Sequence, residues 1–95
     1  MKNYTIKIEV YSNSKDRVRV LINKYKLDLI IDGFRVTGVE DTGNYVIDGK
    51  FLKNIIRAEL YISGNDRKDV IRSIVPLTTD ETVLSWELVC DDENE

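Results

Sequence analysis

The sequence predicts an α+β fold: one sheet of four antiparallel strands with two helices on one face. Three observations carry that prediction. Apolar and polar residues alternate in four separate stretches, as they do in half-buried strands. Two intervening stretches place their apolar residues at helical spacing instead. An Asp48-Gly49 pair joins the second and third strands, the strongest short-range hairpin signal a sequence carries.

The first strand runs from Tyr4 to Ser12. Ile6, Ile8 and Val10 point to one face, and Thr5, Lys7, Glu9 and Tyr11 to the other. Asn13-Ser14 breaks it, with Ser14 placed as an N-cap and Asp16 set against the helix dipole. Val18, Leu21, Ile22, Tyr25 and Leu29 then share one narrow arc at about 100° per residue, which reads as an amphipathic helix. Val18, Val20 and Ile22 also alternate, so a strand competes here, and residues 17–31 need not be helical throughout. The helical stripe persists longer than the alternation and is preferred. Asp32-Gly33 ends the segment.

Phe34 to Glu40 forms the second strand and Lys50 to Ser63 a long third one. In the third, Ile56, Ala58, Leu60 and Ile62 oppose Arg57, Glu59 and Tyr61. Gly64-Asn65-Asp66 turns into a short helix capped by Asn65 or Asp66, with Val70, Ile71 and Ile74 as its buried stripe. Pro76 stops that helix within two residues. Thr82 to Cys90 is the last strand, with Leu84, Trp86 and Leu88 on one face. The order β-α-β-β-α-β, closed by two right-handed split crossovers, is the ferredoxin-like sandwich. The apolar faces of all four strands are expected to pack on the helices. Lys7, Glu9, Arg57, Glu59 and Glu87 are left on the open face. Residues 1–90 read as a single domain, and residues 91–95 as an acidic, disordered tail.

The central hairpin poses a register problem. A two-residue turn at Asp48-Gly49 sets Ile47 opposite Lys50 and Val46 opposite Phe51. Continued strictly, that register puts Arg35 and Thr37 opposite Ile62 and Leu60, mixing core and solvent faces. One extra residue in the second strand repairs it, bringing Val36 opposite Leu60 and Phe34 opposite Ile62. Asp41-Thr42-Gly43 is the expected place, since Gly43 can take the left-handed conformation of a bulge. The result is a long, bent hairpin whose tip, about residues 44–53, projects beyond the sheet.

Composition limits the chemistry. The chain has 95 residues, 42% of them apolar and 33% charged, the balance of a globular domain. The N-terminus alternates from its start and lacks a signal-peptide core, and no apolar run is long enough to span a bilayer. One cysteine, Cys90, permits no internal disulfide, so a cytoplasmic location is expected. The net charge is −3, but the final DDENE holds four acids, leaving 14 basic and 13 acidic groups in residues 1–90. A nearly neutral body argues against binding a phosphate backbone. Ile outnumbers Ala eleven to one, which points to an AT-rich genome of the kind found in many bacteria and phages.

Histidine is absent, which removes the commonest general base and metal ligand. Acidic neighbours raise the pKa of a thiol, so Cys90 reads as a packing residue and not as a nucleophile. DGKF and SGND are turns without the spacing of a phosphate loop, and zinc and calcium spacings are missing. No catalytic residue, cofactor site or metal site is expected. Glu9 and Glu59 share the open face, where Lys7 and Arg57 are expected to pair with them across the strands. Tyr11 and Tyr61 could stack bases on the two central strands, but the same glutamates repel phosphate and the RNP1 pattern is missing. Lys15, Arg19 and Lys26 could line a basic helix edge, or simply a solvated one.

Two segments resemble known families. FLKNIIRAELYISGNDRKDVIRSIV, Phe51 to Val75, is similar to the third strand and second helix of PII-type signalling proteins, and FRVTGVEDTG to their second strand. NYVIDGK resembles the extended hairpin of the related CutA family. The resemblance implies the topology, a tendency to form trimers and a protruding partner-binding element. It does not extend to nucleotide binding, because VPLTTDETV lacks the glycines and bases found after the second helix in PII proteins. The His-Pro-Tyr segment of CutA is missing as well.

The expected function is therefore a non-catalytic protein-interaction or regulatory module that self-associates. The apolar hairpin tip, Tyr45, Val46, Ile47, Lys50, Phe51 and Leu52, would touch a protein partner or a neighbouring subunit. The alternative is a small phage or mobile-element inhibitor that blocks a host enzyme or defence protein with the same surface. Nucleic-acid binding and catalysis by carboxylates or a tyrosine rank below both.

Overall fold

The structure, a computed structural model, describes residues 2–26 and 35–91. Its elements are β1 (Lys2–Ser12), α1 (Lys15–Lys26), β2 (Arg35–Asp48), β3 (Phe51–Gly64), α2 (Arg67–Thr78) and β4 (Val83–Cys90). The strands form one sheet in the order β2-β3-β1-β4, and each neighbouring pair is antiparallel. This is the predicted ferredoxin-like sandwich. Of the expected features, Leu29 in the helical stripe, the Asp32-Gly33 stop, Phe34 and residues 92–95 lie outside the described residues.

Both helices begin on side-chain caps. The Arg17 amide donates to Ser14 Oγ at 3.2 Å, and the Asp69 amide donates to Asp66 Oδ1 at 2.9 Å. The α1 segment is helical through Lys26, so the longer stripe prevails over the short alternation. Pro76 sits inside α2, and the helix ends two residues later, where the Thr79 amide donates to the Val75 carbonyl at 3.0 Å.

One core holds the layers together. Ile6, Ile8 and Val10 of β1 stand opposite Leu60, Ala58 and Ile56 of β3, and all are buried. Val18 and Ile22 of α1 and Val70, Ile74 and Leu77 of α2 complete the same cluster, so both helices cover one face. Gly64 at the end of β3 lets α2 approach. A Cβ there would stand 2.6 Å from Cγ2 of Val70.

The last strand departs from expectation. Leu88 is buried opposite Ile6, but Leu84 and Trp86 are 47% and 43% exposed. A register shift lies between Glu9 and Val10 of β1: Ser85 faces Glu9 and Val83 faces Val10, leaving Leu84 as the extra residue. Val83 therefore packs against the core where Leu84 was expected. Trp86 stands opposite Ile8 but on an edge strand, where neighbours lie on one side only.

The hairpin also corrects the expected turn. Asp48 pairs with Phe51, so the two turn residues are Gly49 and Lys50. A type I′ turn over Asp48-Gly49 needs positive φ at both positions, whereas a turn with glycine first needs it of Gly49 alone. Gly49 has φ +62°, and among the described residues no non-glycine residue has positive φ. Because the shift is two residues, every side chain keeps its face, and Ile47 now meets Leu52 instead of Lys50. The surplus is absorbed at the predicted place. Asp41 pairs with Ile56 and Tyr45 with Asn54, so three residues of β2 face one of β3, and Gly43 has φ +81°. That is two surplus residues where one was expected, and a third, Thr37, lies between Val36 (opposite Leu60, as expected) and Gly38.

Candidate functional site

The distal hairpin is built by three local features. The irregularity at 42–44 frees β2 from strict register, and Thr42 pins it by donating from Oγ1 to the Ile55 carbonyl at 2.7 Å. Asp41 Oδ1 accepts from the Gly43 amide at 2.9 Å, holding the bend. The Gly49-Lys50 turn closes the far end. Pairing of β3 with β1 stops at Asn54 opposite Ser12, so, among the described residues, 46–53 of the hairpin pair only with one another. The described residues extend 46 Å along their longest axis, about the reach of a 14-residue strand.

This ribbon carries apolar side chains on both sides. The alternation of β3 continues unbroken from Ile56, so Leu52 and its neighbours Ile47 and Tyr45 prolong the face that is the core elsewhere. Val46, Phe51 and Lys53 occupy the opposite side. Tyr45, Ile47, Phe51 and Leu52 are 60%, 73%, 70% and 59% exposed, while Val46 is half-buried and Lys50 exposed. Of the six residues singled out from the sequence, the structure thus brings all onto one projecting element. Lys53 rests with its ammonium 5.0 Å from the ring centre of Tyr11, where the tip leaves the sheet.

The open face of the sheet is a network of charge. Lys7 Nζ lies 3.9 Å from Glu59, and Arg57 Nη1 lies 3.5 Å from Glu40 on β2. Glu59 therefore takes the expected lysine, whereas Arg57, although directly opposite Glu9 in register, leans to a residue not anticipated from sequence. These pairs are about half exposed and contribute little stability each. They line a shallow depression of about 330 Å³ that also includes Ser85, Trp86 and Glu87. Among the described residues no group of three or more His, Cys, Asp or Glu side chains is arranged to hold a metal.

The two tyrosines considered for base stacking sit at opposite ends of this face, with Glu9 and Glu59 between them. Arg35 lies over the Tyr61 ring at 4.9 Å, and the Tyr61 hydroxyl donates to Asn3. The Tyr11 hydroxyl donates to the Glu81 carbonyl at 3.2 Å. Lys15 and Arg19 of α1 are exposed, and the side chain of Lys26 lies outside the described set. Cys90 is half-buried against the core. Asp91 is tied to β1 through its amide, which donates to the Asn3 carbonyl at 2.8 Å, and through its carboxylate, which accepts from Thr5 Oγ1 at 2.8 Å.

Charge is also divided along the chain in a way the net value conceals. No lysine or arginine follows Arg72, whereas residues 73–95 hold seven of the 17 acids. The β4 segment is consequently acidic in its own sequence, with Asp80 and Glu81 before it, Glu87 within it and Asp91 after it. In space two bases approach it: Lys7 stands opposite Glu87, and Arg67 Nη2 donates to the Leu88 carbonyl at 3.3 Å.

No protein-family model matches the chain, and no curated protein matches it. Among solved structures it is similar to the C-terminal domain of the MgtC protein from Mycobacterium tuberculosis. That likeness has a TM-score of 0.53 at 14% identity and covers 100% of this chain and 93% of that one. It also aligns with 30S ribosomal protein S6 from Thermotoga maritima, at 13% identity and a TM-score of 0.48, over 94% of this chain and 86% of the other. The MgtC likeness supports the ferredoxin-like fold and nothing finer. No helix among the described residues is long and apolar enough to cross a membrane.

Proposed function

We propose that this chain is a non-catalytic protein-interaction or regulatory module that self-associates and uses the tip of its central hairpin for contact. The observation that carries the proposal is the exposure of Tyr45, Ile47, Phe51 and Leu52 on a ribbon that has no third strand among the described residues. A two-stranded ribbon is marginally stable alone, and apolar residues gathered on one projecting element mark contact surfaces. The PII- and CutA-like features of Phe51–Val75 and of NYVIDGK support the same reading, since a protruding partner-binding element and trimer formation go with that resemblance.

Ile47→Asp combined with Phe51→Ser tests it, because both positions are exposed and the core is untouched. The expected outcome is a smaller mass in solution, or loss of a co-purifying partner, with the melting temperature nearly unchanged. Unchanged mass together with unchanged co-purification refutes the proposal. A phage or mobile-element inhibitor would use the same residues, and the scarcity of alanine against isoleucine fits such an origin. Co-purification of one host enzyme in stoichiometric amount distinguishes that reading.

A further inference from the structure

We infer that the surface receiving the hairpin tip is the β4 edge of a second copy of this chain, in a head-to-tail contact. The inference rests on the reading that the tip makes a subunit contact, and it names that contact's other half. Among the described residues, exposed large apolar side chains group in two stretches, the tip and Leu84–Trp86 of β4, while Val20 and Val75 are exposed singly on the helices. The two stretches cannot cover each other within one molecule. The order β2-β3-β1-β4 puts the hairpin and β4 on opposite edges of the sheet, about 14 Å apart at ordinary strand spacing. Both are strands with neighbours on one side, and such edges pair readily with another chain.

Charge decides which surfaces meet. The tip carries two lysines, Lys50 and Lys53, against one acid, Asp48, while the β4 edge carries Glu81, Glu87 and Asp91 against one base that reaches its backbone, Arg67 at the Leu88 carbonyl. Tip against tip would oppose lysines, and β4 against β4 would oppose glutamates, each at a cost of like charge. Tip against β4 is the complementary pairing. A contact between two different patches is heterologous, so it either closes into a ring or runs on as a filament.

A charge-exchange experiment on the full chain tests this. One variant is Lys50→Glu with Lys53→Glu; the other is Glu81→Lys with Glu87→Lys. Each alone should weaken self-association at least about tenfold in sedimentation equilibrium at low salt. An equimolar mixture should recover assembly, because each altered surface then finds its complement. Wild-type association should weaken as salt is raised. If the Glu81/Glu87 variant assembles like wild type, the β4 assignment is overturned while the tip reading stands. If the mixture fails to recover, or wild type is monomeric at about 100 μM, head-to-tail pairing is likewise overturned, and the tip reading is then decided by its partner test. Should either charge variant lose its fold by circular dichroism, Leu84→Ser with Trp86→Ser substitutes as the β4 test and should reduce assembly, unchanged mass refuting the inference.

Discussion

Leu60 and Leu52 lie on the same side of the same strand, yet one is sealed in the core and the other is largely exposed. Around Leu60, β1 flanks the strand, β2 contributes Val36 opposite, and both helices contribute to the cluster above. Beside Leu52, the strand pairing of the described residues supplies Ile47 across the ribbon and no strand on the other side. Alternation therefore assigns a side chain to a face, but burial depends on what lies over that face. The base of the hairpin is part of the core, and its distal half exposes the apolar side chains of Tyr45, Ile47, Phe51 and Leu52.

The largest effect separates those halves. Leu60→Ala should cost about 2–5 kcal/mol in urea unfolding, through lost burial and the cavity left behind. Leu52→Ala should stay within about 0.5 kcal/mol at concentrations where the protein is monomeric. A large cost for Leu52→Ala at such concentrations would show that the tip is buried within a single chain and would break the comparison.

Next comes the seam between β3 and α2. A methyl group at Gly64 meets Val70 Cγ2 at 2.6 Å, so Gly64→Ala should destabilise by about 1–3 kcal/mol, as overpacking does. Adding Val70→Ala relieves the clash but opens space of its own, so the double variant should lie well short of the sum of the single losses. Additive losses would show that the clash is not the cause. A smaller change, about 1 kcal/mol, is expected for Gly43→Ala. At φ +81° its added Cβ meets no atom within 4 Å, so the cost comes from the backbone conformation alone. Amide exchange should rise around residues 41–45 and leave the core strands protected. Uniform loss of protection would mean that the hairpin bend and the sheet unfold together.

The β-α-β-β-α-β order, both caps, the Pro76 stop and the position of the bend at Gly43 were legible because each rests on local chemistry: periodicity, a short polar side chain, a missing amide, a left-handed glycine. The turn at Gly49-Lys50 was misread because Asp-Gly signals a hairpin without saying which residue leads. That choice depends on which positions must take positive φ. On β4, Trp86 and Leu88 share a face as expected, but Leu84 was misplaced because a one-residue bulge beside Val10 is not encoded by alternation, and Trp86 is exposed because an edge strand buries less than its pattern implies. Arg57 turning to Glu40 depends on β2 register, which the two irregularities set jointly. The candidate tip was legible in composition, since apolar residues crowd a turn. The β4 surface proposed as its partner could not be read from local pattern, because it depends on strand order together with the absence of bases after Arg72.

The smallest expected effect concerns how the base is tied together beyond its core. Asp80, in the turn between α2 and β4, accepts from the Tyr25 hydroxyl of α1 at 2.7 Å, from Thr82 Oγ1 at 2.7 Å and from the Thr82 amide at 3.0 Å. Partial burial pushes its carboxyl up, but the Thr82 hydroxyl and amide, the Tyr25 hydroxyl and the charge of Lys24 together outweigh it and hold it below the ordinary value of 3.8. A carboxylate with a lowered folded pKa contributes stability that is complete above the unfolded value. That stability is lost as pH falls below about 3.8 and through the folded value. Solvent near the group keeps the contribution small. Asp80→Asn should therefore lower the melting temperature slightly at neutral pH, and the difference from wild type should shrink as the solution is acidified through that window. Tyr25→Phe should retain most of the pH dependence, because the Thr82 bonds remain. If Asp80→Asn instead melts in parallel with wild type down to about pH 2, these hydrogen bonds do not favour the ionised form, and α1 is held to the α2–β4 turn by packing alone.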